Sequence, residues 1–189
     1  MRCLKMLIPV VLLAALGACA KPPQADIDAA KAAVSAAAQD ADIVAYAPDT
    51  LRAAQDKLSQ MQTELDTKHY DKVKSLALEA KAAAETAAND AAKGKEKAQV
   101  DASNLIGSLN KSLPEAAQKL AAAKRIKGLK LNFGTFARQL RDARPALADA
   151  QKDLDAGNFA SALQRATALQ SQLADGEKMI ADAVAALKK

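Results

Sequence analysis

Apolar residues return every three or four positions along most of this chain. Ile27, Ala30, Val34, Ala37, Ala41 and Val44 form one such series, and Leu51, Ala54, Leu58, Met61 and Leu65 form the next. A mean step of about 3.5 residues places each series on one face of a helix. Tyr46-Ala47-Pro48 separates the two. Pro48 suits a first helical turn, where the N–H it lacks would have no partner. A third series follows at Tyr70, Val73, Ala77, Ala80, Ala84 and Ala87. Its phase shifts across Asp66-Thr67-Lys68-His69, which fits either a tight turn between antiparallel helices or one helix running through.

Further on, Gly94 and Gly107 sit inside helical pattern, where each costs about 1 kcal/mol relative to Ala. Bends are expected there. Ser112-Leu113-Pro114-Glu115 carries Ser and Glu three apart, the capping-box spacing that satisfies free N–H groups. A helix should restart at that point and run to about Arg125. KGLKLNFGT, residues 127–135, reads as an exposed loop bracketed by Gly128 and Gly134, with Thr135 as a candidate N-cap.

Sliding the chain along itself until Leu51 meets Leu140 brings out an internal repeat. Leu51, Ala54, Leu58, Met61 and Leu65 then fall on Leu140, Ala143, Leu147, Ala150 and Leu154. ELDTKHYDKV (64–73) falls on DLDAGNFASA (153–162), so Tyr70 meets Phe159. These two rings are expected to plug the closed ends of two hairpins, at about 45–110 and 135–189. Pro145, which stands where the first copy has Asp56, should kink or start its helix.

Composition agrees with helix throughout. Alanine, leucine, lysine and glutamine all favour helix, and the chain has no Trp, two Tyr and three Phe. The expected class is all-α: antiparallel helical hairpins forming either a bundle or an elongated, alanine-rich, coiled-coil-like rod.

The first residues have a different pattern. Arg2 and Lys5 precede an apolar run over 6–18, which stops at Cys19 and Lys21-Pro22-Pro23. That is the layout of a secretory signal, and the run is short of the roughly 20 apolar residues a bilayer span needs. Leu16-Gly17-Ala18-Cys19 resembles the lipobox of bacterial lipoproteins. The resemblance implies cleavage between Ala18 and Cys19, diacylglyceryl transfer to the Cys19 thiol and acylation of the new amino terminus. Ala20 rather than Asp after Cys19 favours, by the same resemblance, the outer membrane facing the periplasm. The expected organisation is a signal over 1–18, a lipidated and proline-containing tether over 19–25, and a helical domain over 26–189.

YAPDTLRAAQDKL through HYDKVKSLALEAKAAAETA, about residues 45–90, resembles a group of uncharacterised bacterial lipoproteins with a short helical domain of unknown function. AGNFASAL is similar to the turn of a tetratricopeptide unit, although the spacing of about 34 residues that marks such arrays is missing.

Charge adds little to this picture. The formal net charge is +5. It falls to +3 once Arg2 and Lys5 leave with the signal, so no nucleic-acid partner is expected. Cys3 would leave as well and Cys19 would carry lipid, so no disulfide is expected. His69, the one histidine, has no second His or thiol to share a metal with, and no metal site or cofactor is expected. Ser35, Ser59, Ser75, Ser103 and Ser108 have no base at a recognisable spacing, which argues against an enzyme. Lys124, Arg125, Lys127 and Lys130 form a basic cluster on the loop flank. The expected function is a non-catalytic structural or protein-interaction module, held to the membrane by lipid on Cys19 and meeting an envelope protein or the cell-wall layer. The alternative is a small-molecule or lipid carrier with a cavity between helices.

Overall fold

The computed structural model describes residues 21–129 and 131–187, which form six helices and no strand. They are α1 (Gln24–Gln39), α2 (Ala41–Tyr46), α3 (Pro48–Asp66), α4 (Tyr70–Ala123), α5 (Phe133–Asp155) and α6 (Phe159–Ala186). The signal, the lipobox with Ala18 and Cys19, and Lys130 of the basic cluster lie outside the described residues. No described helix is long and apolar enough to cross a membrane.

Helix α4 organises everything else. It contains 54 residues. At a rise of about 1.5 Å per residue it extends about 80 Å. One row of α4 residues stays buried along the whole length, but two different sets of helices cover it. Val73, Ala77, Ala80, Ala84, Ala87 and Ala91 share a core with α1, α2 and α3. Ala102, Ile106, Leu109, Leu113, Ala116 and Leu120 share a second core with α5 and α6. The first is lined mainly by alanine, which lets backbones approach closely; the second holds as many leucines as alanines, together with Ile106 and Phe136. The molecule is two helical units placed end to end, with α4 the last helix of one and the first of the next.

Polar ties fix the directions. Thr50 donates to Asp90 at 3.0 Å, and Lys57 pairs with Glu79 at 2.7 Å, so α3 runs antiparallel to α4. Lys95 pairs with Asp42 at 2.7 Å, which sets α2 at the middle of α4. Since α1 packs on the 73–91 stretch and ends beside α2, it must run parallel to α4. Its start therefore points back toward the α3–α4 turn. In the second unit Lys119 pairs with Glu177 at 2.9 Å, while Ala160 at the start of α6 meets Tyr46, which lies against Gly94, so α6 runs parallel to α4. One end of the rod therefore holds the α3–α4 turn and the start of α1. The other holds the 124–132 connection, where Leu187 lies beside Gly128.

Several expectations need correction. The first apolar series does not run unbroken to Val44. Asp40 ends α1 and caps α2, accepting from the N–H groups of Asp42 (2.8 Å) and Ile43 (3.2 Å). The break rotates the face, so Ile43 is buried and Val44 exposed. Helix α1 begins at Gln24, inside the 19–25 stretch expected as a tether. Helix α4 passes through Gly94, Gly107 and Ser112 without restarting, and Pro114 lies inside it. Gly94 has a different use: a Cβ there would stand 2.8 Å from the Tyr46 carbonyl oxygen, so its absence admits the end of α2. At the far end the loop lies earlier than expected, at 124–132, and Thr135 falls inside α5 rather than capping it.

Candidate functional site

The two tight turns are built alike. At the α3–α4 turn, Lys68 N–H donates to the Leu65 carbonyl (3.0 Å), and His69 N–H donates to the Glu64 carbonyl (3.0 Å). At the α5–α6 turn, Gly157 N–H donates to Leu154 (3.1 Å), and Asn158 N–H donates to Asp153 (2.8 Å). This is the Schellman pattern, which satisfies carbonyls left free at a helix end. Lys68 and Gly157 hold the left-handed position, with φ of 61° and 79°. The side chains of the paired acids reach forward in the same way. Glu64 accepts from Lys72 at 3.3 Å and meets His69 Nδ1 at 2.6 Å. Asp153 accepts from Ser161 and Arg165, both at 2.7 Å. Hydrogen bonds to the charged form favour it. Each partnership thus holds its carboxyl below the ordinary value, through His69 first at Glu64 and through Ser161 first at Asp153.

Tyr70 and Phe159 occupy the first position of the helix after each turn, and both are half-buried. The deeply buried aromatic is Phe136, at 1% exposure, which the sequence reading did not single out. Its ring lies where Gly176 has no side chain; a Cβ on Gly176 would stand 1.8 Å from Phe136 Cε2.

At the middle of the rod the Tyr46 hydroxyl accepts from the Ala160 N–H at 3.2 Å. This bond ties the end of α2 to the start of α6, and so one unit to the other.

In the second unit, α4 and α5 part to form an open groove of about 450 Å³. Leu113 and Pro114 of α4 face Leu147 and Ala148 of α5 across it. A second hollow of about 250 Å³, between Ala117 and Leu140, shares Leu113 and Arg144 and so continues the groove. Two prolines explain the parting. Pro114 and Pro145 both lie inside helices. Each deprives the carbonyl four residues earlier of its usual N–H and pushes against it. The antiparallel run of α4 and α5 brings the two weak points to one level.

This part of the chain is strongly basic. Residues 111–144 hold nine Lys and Arg against two acids, Glu115 and Asp142. The earlier stretch 21–103 is acidic, with eleven Lys and Arg against fourteen acids. The loop cluster at Lys124, Arg125 and Lys127 thus belongs to a wider basic region. Arg138, Arg141 and Arg144 of α5, which the sequence reading missed, are all exposed. Arg141 stands 3.5 Å from its neighbour Asp142, while Arg138 and Arg144 meet no carboxylate among the described residues. Their spacing of three within an obvious helix was the signal available.

Among the described residues, no three His, Cys, Asp or Glu side chains come together as a metal site would require. Fold and surface define an elongated all-α protein with open grooves and a charge that differs from end to end. Residues 25–103 match the model of a family described as a domain of unknown function (DUF4398). The match begins in α1 and stops midway along α4, covering the first unit. No curated protein and no solved structure matches the chain.

Proposed function

We propose that this chain is a non-catalytic spacer and protein-interaction module of the bacterial cell envelope. It is anchored through lipid on Cys19 in the outer membrane and faces the periplasm. The observation that carries this reading is the continuous α4, which sets two units end to end. The start of α1 lies near one tip of the rod, and the basic region lies toward the other. A lipid on residue 19, joined by a few residues to Gln24, would hold the acidic unit toward the bilayer. The basic loop would then stand roughly 80 Å away, the length of α4. Two or three acyl chains give stable anchoring where one does not. A carrier would need enclosed apolar volume. The hollows of about 500, 450 and 390 Å³ are all open to solvent. The void beside Gln139 is about 10 Å³, the lower bound for a single water.

The test is metabolic labelling with a palmitate analogue, followed by membrane fractionation. The wild-type chain should carry label and pellet with membranes, and Cys19→Ala should carry none and become soluble. An unlabelled wild-type chain would overturn the anchor.

A further inference from the structure

We propose that the α4–α5 groove is a docking site for an acidic amphipathic helix of a partner protein. This rests on the reading of the chain as an interaction module and names what it would hold. Shape comes first. The groove is concave: Leu113 and Leu147 are already buried at its base, and Pro114, Ala117, Leu140 and Ala148 supply the apolar surface still open to a partner. From Leu140 to Gln151 it runs along about 16 Å of helix, or about three turns. A helix laid there contacts α4 and α5 together through residues three and four apart, the usual mode of helix-in-groove recognition. Charge selects the partner. Arg141 and Arg144 rim the groove, and Arg138 extends the row toward the loop. Arg138 and Arg144 pair with no carboxylate among the described residues, and Arg141 meets only its neighbour Asp142, so the rim has cations left to pair. A guanidinium fork takes a carboxylate by two parallel hydrogen bonds, so Asp or Glu flanking an apolar stripe completes the rim. A flat anionic bilayer would meet Lys124, Arg125 and Lys127 at the tip but would not enter the concave groove between α4 and α5.

The test places a photo-crosslinking residue at Ala148, in the groove, and separately at the exposed Ala29 as a control, in the full chain in cells. Ala148 should give an adduct whose crosslinked peptide, read by mass spectrometry, is a helical segment with an apolar stripe flanked by Asp or Glu. Ala29 should not give that adduct. Arg138→Gln, Arg141→Gln and Arg144→Gln together should lower its yield about tenfold, as expected when a few exposed ion pairs are lost. Circular dichroism should show the helix content and Tm unchanged, and Arg144→Glu alone should lower the yield in the same direction. Adducts to lipid only, a crosslinked peptide without acids, no adduct, or a yield indifferent to the arginines would each overturn the docking site. Fractionation of the same cells separates the two readings. A chain that pellets without forming the adduct loses the groove assignment alone, whereas one that fails to pellet loses the anchor.

Discussion

At the scale of single residues, two positions show how packing and charge use features that the sequence does not advertise. Gly176 lies in mid-helix, where glycine costs about 1 kcal/mol relative to Ala. It leaves room for the Phe136 ring, which is nearly sealed from solvent. Gly176→Ala gains helix propensity but drives a methyl into an aromatic ring that α5 holds in place. Overpacking of this kind costs about 1–3 kcal/mol, so the net effect should be destabilising, read as a lower urea midpoint. A higher midpoint would mean that the ring can move aside. Glu64 offers a test of a different kind. Its carboxyl is held below the ordinary value of 4.5 by His69 and then by Lys72. Its bonds therefore support the fold above the ordinary value and are lost as pH falls through the lower folded one. His69→Gln removes the larger cause. Carboxyl NMR should then find the Glu64 titration moved up toward the ordinary value; an unmoved midpoint would assign the shift to Lys72 alone.

At the scale of elements, the two turns form a matched experiment. The same bonds close both, yet one has Lys68 at the left-handed position and the other has Gly157. A side chain there costs about 1–2 kcal/mol. Lys68→Gly should therefore stabilise the chain by about 1 kcal/mol, and Gly157→Ala should destabilise it by a similar amount, both measured by chemical denaturation. A change of the same sign at both positions would show that the turns are strained differently from their geometry. The helices flanking these turns were legible in the sequence because an Ala/Leu face repeats faithfully over many turns. The continuity of α4 was not. Gly94, Ser112 and Pro114 each carry a local signal to bend or restart, Pro114 at a cost of about 3 kcal/mol, yet the helix runs on because its apolar row remains covered throughout. The groove was hidden for a related reason. Pro114 and Pro145 are distant in sequence and come level only through the antiparallel pairing of α4 with α5. Arg138, Arg141 and Arg144 were readable as one side of a helix, but only the folded chain shows that this side rims an apolar floor.

At the scale of the whole molecule, the decisive property is extension. Two separate cores share one helix, and the hydrogen bond from Ala160 to Tyr46 sits at their junction without folding one unit back on the other. A spacer depends on this arrangement, because a bend near Gly94 would bring the basic groove back toward the acidic unit. The two geometries differ enough to measure. A compact domain of this chain length has a radius of gyration of about 16 Å. A cylinder about 80 Å long and about 20 Å across, as helices packed along α4 require, has a value of about 24 Å. Small-angle X-ray scattering of a soluble form beginning at Ala20 should therefore give the larger value, with a longest dimension near the length of α4. Salt provides the control. Attraction between an acidic and a basic unit weakens as the screening length falls from about 10 Å at 0.1 M to about 3 Å at 1 M, so a hinged molecule would extend on adding salt. A continuous α4 without a hinge predicts no such change. The compact radius at low salt, growing as salt is added, would show a hinge in α4, and the anchor-to-groove distance would then be a variable rather than a fixed length.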